Sequence, residues 1–152
     1  MRDDMSLASG AFEPTRLRVR YAETDQMGRA HHMHYLAWFE LGRTDLLRAA
    51  GVAYSKIEQE GVKLPVSHVE IEYRGPVRYD ELVDVYTRVS GVRSRTVTFT
   101  YLAVRAETGD ELAAGSTRLV CTDDKGKPRR IPPHLIDVLE SLKANAHAWP
   151  ES

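Results

Sequence analysis

One short segment, residues 20–35, concentrates the side chains that could do chemistry. It carries Glu23 and Asp25 just before a run whose apolar residues recur every three or four positions, which is typical of a helix. The first N–H groups of a helix carry partial positive charge, so a nearby carboxylate faces donors that can hold a developing oxyanion. Acyl transfer needs both groups. The alternative is that the two acids merely form a turn or cap the helix on a solvated loop.

The same segment contains three histidines, His31, His32 and His34. Two adjacent histidines followed by a third two positions later lack the i, i+4 spacing that presents paired metal ligands on one helix face. No acid or cysteine nearby completes a zinc-type pattern. The spacing therefore predicts no metal site, and the alternative is a role for His32 in orienting or lining a substrate.

Five strands are predicted around this segment, because apolar and polar residues alternate with period two in five places. One strand precedes the segment and four follow it, near residues 16–21, 68–73, 83–89, 97–103 and 112–121. Mostly short turns join the later strands, which indicates antiparallel pairing. With the helices, this order predicts an α+β domain.

Two helices complete the predicted domain. The longer one covers residues 35–50, and its internal Gly42 suggests that a strand crosses close beneath it. The second begins at Pro132-Pro133, since proline suits a helix start, and runs to about residue 147. Residues 1–14 are predicted to be a flexible arm and not a secretory signal.

Composition narrows the class of protein. The chain has 152 residues, with 21 basic against 22 acidic side chains, so nothing in its overall charge favours nucleic acid or an anionic membrane as partner. The single cysteine, Cys121, excludes an intrachain disulfide, and a reducing, cytoplasmic location is expected. No apolar run reaches the roughly 18 residues that cross a bilayer.

The segment closely resembles the signature of the 4-hydroxybenzoyl-CoA thioesterase and YbgC-type acyl-CoA thioesterase family. In that family a strand leads into Thr-Asp-x-x-Gly, then His-x-x-Tyr, and then a helix with an aromatic residue, Glu and Arg-Thr. The matching positions here are Thr24-Asp25, Gly28, His32, Tyr35, Trp38-Phe39-Glu40 and Arg43-Thr44. The resemblance continues through the strand order and into residues 127–132, so it covers about residues 15 to 142.

The resemblance implies a hot-dog fold, a five-stranded antiparallel sheet wrapped around one long helix, plus a C-terminal helix, in a single domain over residues 15–148. It implies hydrolysis of an acyl-CoA thioester at sites shared between protomers of a dimer or tetramer. Asp25 matches the catalytic carboxylate, as nucleophile or as general base, and the backbone N–H near His32 matches the group that polarises the carbonyl. Gly28 and Tyr35 are expected in the substrate site. No cofactor is implied, because coenzyme A is part of the substrate.

Basic residues outside the segment are candidates for binding the phosphates of coenzyme A. Arg93 and Arg95 lie in the turn before the fourth strand, and Arg129 follows the fifth. Arginine forks suit phosphate oxygens. The alternative is that these residues belong to solvated basic loops.

Two other functions stay open on the same fold, an acyl-CoA hydratase or dehydratase and a non-catalytic acyl-CoA-binding protein. The chain also departs from the family pattern around Gly28. Met27 precedes it and Arg29-Ala30 follow it, where family members often carry a second glycine and small aliphatic residues. The resemblance therefore does not predict which acyl group is accepted.

Overall fold

The computed structural model describes residues 13–146. Most of the predicted N-terminal arm and the end of the predicted C-terminal helix, near residue 147, lie outside the described residues. Within residues 13–146 the elements are β1 (Thr15–Arg18), α1 (His34–Ala49), α2 (Tyr54–Gln59), β2 (Val66–Tyr73), β3 (Leu82–Val92), β4 (Thr96–Arg105), β5 (Glu111–Val120) and α3 (Pro133–Ala144).

The strands form one sheet in the order β1-β3-β4-β5-β2, and every neighbouring pair is antiparallel. This confirms the predicted α+β class and the five-stranded antiparallel sheet. The two edges of the sheet differ in length, since β1 has 4 residues and β2 has 8. Seven of the eight β2 residues are exposed, among them Val66, Val69 and Tyr73.

Helix α1 lies against the sheet with its apolar face buried. Phe39 stacks on Tyr101 of β4, with ring centroids 4.4 Å apart and planes within 2°. A Cβ placed on Gly42 would lie 2.4 Å from the Thr87 hydroxyl oxygen and 3.1 Å from a methyl of Val85. Strand β3 therefore passes directly beneath the helix, as the glycine predicted.

Two residues differ from the sequence interpretation. Arg43 falls among the polar positions of the helical pattern, but it is buried and donates from Nη1 to the Tyr101 hydroxyl, 3.5 Å away. Its long aliphatic stem lets arginine pack among apolar residues, which periodicity does not reveal. The first strand is predicted near residues 16–21 and so includes Tyr21, whereas β1 ends at Arg18 and Tyr21 is 78% exposed on a short 3-10 turn.

None of the helices in residues 13–146 combines the length and the hydropathy of a membrane-spanning helix.

Helix α3 packs on the same core as α1, through Leu135, Leu139 and Leu142.

Candidate active site

Glu23 anchors the loop between β1 and α1. The residue is 4% exposed, and its carboxylate accepts hydrogen bonds from the Trp38 indole Nε1 at 2.9 Å and from the Arg20 backbone N at 2.8 Å. Its backbone oxygen accepts from the His31 N–H at 2.8 Å, which joins the two limbs of the loop. Burial acts to raise the pKa of Glu23, but the hydrogen bonds from Arg20 and Trp38 outweigh it and hold the pKa below its ordinary value. The loop is thus fixed to helix α1 by a buried anion.

Asp25 lies at the tip of a tight turn within this loop. Its Oδ1 accepts from the Met27 backbone N at 2.8 Å, and its own backbone N donates to the Arg29 carbonyl at 2.9 Å. Gly28 closes the turn by donating to the Asp25 carbonyl at 3.0 Å, with φ of 79°. Glycine adopts that positive φ without a steric penalty. The side chain of Asp25 is half-buried.

The start of helix α1 offers an unused donor beside this turn. The His32 carbonyl accepts from the Tyr73 hydroxyl at 2.9 Å and from the Tyr35 N–H at 3.3 Å, which fixes this backbone segment to β2. The Met33 N–H is used by His31 Nδ1, 3.2 Å away. Within the described residues, the backbone N–H of His32 donates to no protein acceptor. It is therefore free to bind an oxygen of a ligand.

A cavity of about 550 Å³ brings these groups together. Three of the predicted site residues, Asp25, His32 and Tyr35, line it, and Gly28 lies in the turn between two further lining residues, Met27 and Arg29. Burial raises the pKa of Tyr35 to about 12, so its phenol stays protonated at neutral pH and cannot serve there as a base. The remaining lining residues are Ala30, Tyr73, Arg74, Gly75 and Pro76.

Sequence reasoning had not pointed to the residues that follow β2. Tyr73, the last residue of β2, also lines the cavity. Arg74, Gly75 and Pro76 lie about 50 residues from Asp25 along the chain, and the folded sheet brings them to the cavity. No local spacing signals such contacts.

The three candidate phosphate-binding arginines lie at the opposite end of the sheet. Arg93 and Arg95 form the β3–β4 turn, and Arg129 donates from its backbone N to the Cys121 carbonyl beyond β5. Ala113 of β5 pairs with Tyr73, and the part of β5 from Ala113 to Val120 separates the arginines from Tyr73 by roughly 24 Å at 3.4 Å per residue. Arg93 lines a second cavity of about 510 Å³, beside α3. Within one protomer the structure does not bring these arginines to Asp25.

The histidines form an aromatic cluster. The rings of His31 and His32 stack at 4.2 Å between centroids, and His34 lies edge-on to His31 at 6.3 Å. Among residues 13–146, no three His, Cys, Asp or Glu side chains are arranged to hold a metal ion. The His32 ring also contacts the Tyr73 ring edge-on at 5.9 Å, next to the cavity.

Comparison with known proteins extends this description. A family model described as the thioesterase-like superfamily matches residues 19–139. The acyl-CoA thioester hydrolase YbgC of Escherichia coli strain CFT073 is 31% identical over 121 residues, which are 79% of this chain and 90% of YbgC.

Two solved structures are similar over most of their length. A DHNA-CoA thioesterase from Staphylococcus aureus has a TM-score of 0.82 and 32% identity, covering 87% of this chain and 91% of that one. The hypothetical protein TT1821 from Thermus thermophilus has a TM-score of 0.80 and 40% identity, covering 86% and 98%. Together with the sheet around α1, these matches confirm the predicted hot-dog fold.

Proposed function

Because the chain belongs to the thioesterase-like superfamily, we propose that it hydrolyses an acyl-CoA thioester to a carboxylic acid and coenzyme A. One observation carries the proposal. The cavity that Asp25 lines is also lined by His32, whose backbone N–H has no acceptor within the described residues. A carboxylate and an open N–H at a helix start are the two groups that acyl transfer to water requires.

In the proposed reaction the His32 N–H donates to the thioester carbonyl oxygen and stabilises the oxyanion that forms there. As general base, Asp25 takes a proton from water while the water oxygen bonds to the carbonyl carbon. The tetrahedral intermediate then collapses, the carbon–sulfur bond breaks, and the thiolate of coenzyme A takes up a proton. As nucleophile, Asp25 itself would displace the thiolate, and water would hydrolyse the resulting anhydride. A single turnover in ¹⁸O-labelled water separates the two roles, since only the anhydride route can place label in Asp25.

The proposed enzyme works as a pair of protomers joined along β2. An exposed edge strand of 8 residues that carries Val66, Val69 and Tyr73 presents unpaired backbone groups and apolar side chains, which a second copy would cover. A two-fold axis near residues 69–70 would make the two β2 strands antiparallel. The Val66 end of the second copy would then lie beside Tyr73 of the first.

This pairing would give the distant arginines a role. At about 4.8 Å per strand, Arg95 and Arg129 of the second copy would lie roughly 10–15 Å to the side of Tyr73. The arm of coenzyme A between sulfur and pyrophosphate has the length of about four extended residues, roughly 15 Å. The proposed site therefore takes its carboxylate from one protomer and its phosphate-binding arginines from the other. A tetramer stays a prediction, and so does a cytoplasmic location, which is inferred from the single cysteine.

The decisive experiment measures release of coenzyme A thiol from aromatic, short and long acyl-CoAs. Asp25→Asn is expected to lower kcat by roughly 10²–10⁴-fold, the usual contribution of a catalytic acid or base. Asp124→Asn, on an exposed loop, is the matched control and should keep the rate. Full activity in Asp25→Asn would refute the proposal. Hydration of an enoyl-CoA without thiol release would instead indicate a hydratase, and binding without either reaction a carrier.

The oligomer is tested by native mass spectrometry, in which a dimer doubles the protomer mass of 17.2 kDa. In the dimer, Val69→Glu would place four carboxylates near the two-fold axis, two from position 69 and two from Glu70. We therefore expect this variant to be a monomer. A dimer that survives this change would contradict pairing through β2.

A further inference from the structure

Two arginines face each other across a β-bridge at the edge of the catalytic cavity. Arg29 and Arg78 form an isolated antiparallel bridge, and the adjacent Ala30 N–H donates to the Val77 carbonyl at 2.7 Å. Because this hydrogen bond joins the neighbouring residues and not Arg29 and Arg78 themselves, the two arginines form a non-hydrogen-bonded pair. The Cα atoms of such a pair are about 4.5 Å apart. Directly opposite residues project to the same side, and like charges in such a pair repel.

Neither cation of this pair is neutralised within the described residues. Arg74 forms ion pairs with Glu72 and Glu111, and Arg105 pairs with Glu81 and Asp110. The ion pairs of residues 13–146 include neither Arg29 nor Arg78. The Arg29 guanidinium instead lies 3.6 Å from the sulfur of Met27. Two arginines without an acidic partner, at directly opposite backbone positions, are suited to binding an oxyanion.

The position of Arg29 indicates which part of a substrate would supply the oxyanion. Arg29 and Asp25 line the same cavity of about 550 Å³, which is about 10 Å across if treated as a sphere. The nearest phosphate of coenzyme A lies roughly 15 Å from the thioester sulfur along an extended arm. With the thioester at Asp25, an oxyanion near Arg29 belongs more naturally to the acyl group than to the coenzyme.

We propose that Arg29, assisted by Arg78, binds a carboxylate at the far end of the acyl group, so that the enzyme acts on thioesters of short dicarboxylic acids. This inference rests on the proposed function and names its substrate class. Arg29 also stands where the family pattern often has an aliphatic residue, so the preference belongs to this chain.

The test compares adipoyl-CoA with hexanoyl-CoA, which have six acyl carbons each and differ by the terminal carboxylate. The wild type should show the higher kcat/KM on adipoyl-CoA. Arg29→Gln should lower that value roughly tenfold to a hundredfold, as loss of a hydrogen bond between charged groups would, and should lower kcat/KM on hexanoyl-CoA far less. Arg48→Gln, on an exposed turn of α1, is the matched control and should change neither. Equal values for the two substrates in the wild type, or equal losses in Arg29→Gln, would overturn the inference.

Thioesters of N-acetylcysteamine separate the acyl carboxylate from the coenzyme phosphates, since they lack the phosphates. The effect of Arg29→Gln should persist on the adipoyl thioester of N-acetylcysteamine. If it disappears there, the guanidinium serves the coenzyme and the inference fails.

A binding measurement keeps this inference distinct from the proposed function. Calorimetry with Asp25→Asn should show adipate binding more tightly than hexanoate, and adding Arg29→Gln should abolish the difference. If no thioester is hydrolysed but this difference is present, the proposed function fails and the carboxylate site stands. If hydrolysis occurs and the difference is absent, the carboxylate site fails alone.

Discussion

Replacement of Trp38 by phenylalanine tests the buried anchor of the loop that carries Asp25. Trp38→Phe keeps an aromatic ring in the core but removes the Nε1–H that donates to the Glu23 carboxylate at 2.9 Å. A hydrogen bond to a charged group contributes about 1.5–3 kcal/mol. Because Glu23 is only 4% exposed, water does not readily replace the lost donor, and most of that contribution is lost. The smaller ring adds a modest cavity cost. We expect Trp38→Phe to lower the free energy of unfolding by about 2–4 kcal/mol.

The hydrogen bond is isolated by a double-mutant cycle with Glu23→Gln, measured by urea unfolding at neutral pH and one fixed protomer concentration. The coupling free energy should be about 1.5–3 kcal/mol, because both changes remove the same charged interaction. Native mass spectrometry of each variant controls for a change of oligomeric state.

The pH dependence supplies a second, independent test. The pKa of Glu23 in the folded protein lies below its ordinary value of 4.5, so its ionised form stabilises the fold above pH 4.5 and that stabilisation is lost as the pH falls. The difference in stability between wild type and Trp38→Phe should therefore shrink below about pH 4.5. A difference that stays constant down to pH 3, or a coupling below about 0.5 kcal/mol, would refute the assignment.

Three further predictions follow from the core and the site. Gly42→Ala should destabilise by about 1 kcal/mol, because overpacking against Thr87 exceeds the gain in helix propensity, and adding Thr87→Ala should restore urea stability. Tyr35 has a folded pKa of about 12 against an ordinary 10.0, so the free energy of unfolding should fall as pH rises from 10 to 12. In Tyr35→Phe, which has no phenol to titrate, that fall should be smaller by on the order of 2 kcal/mol. Burial also raises the pKa of the Cys121 thiol, so Ellman's reagent should label Cys121 in the native protein far more slowly than in urea.

Sequence predicted the parts of the site that depend on neighbouring residues. Asp25 and Gly28 belong to one turn, and its chemistry is set within four residues by an Asp side chain and a positive φ. The same holds for Gly42, whose place in a helical pattern indicated a close strand. Periodicity also predicted the α+β class, because five alternating segments joined mostly by short turns, together with helices, indicate an antiparallel sheet with helices packed on it.

Contacts between distant segments could not be predicted in this way. The hydrogen bond between Trp38 and Glu23 joins residues 15 apart, and the one between Tyr73 and His32 joins residues 41 apart. Arg95 and Arg129 were grouped with Asp25 by their charge, yet strand register places them at the other end of the sheet. Charge and periodicity carry no information about which end of a sheet a turn occupies. The positions of these two arginines therefore follow only from the folded structure.

The unequal edges of the sheet have a consequence for how many copies can join. In the proposed dimer, pairing through β2 would use the long edge of each protomer and leave β1, with 4 residues, as the outer border on both sides. So few backbone groups make a poor template for another strand, so growth by strand addition would stop at the ten strands of two five-stranded sheets. The proposed dimer would thereby cover the long exposed edge of each protomer, which would protect it from open-ended fibre formation.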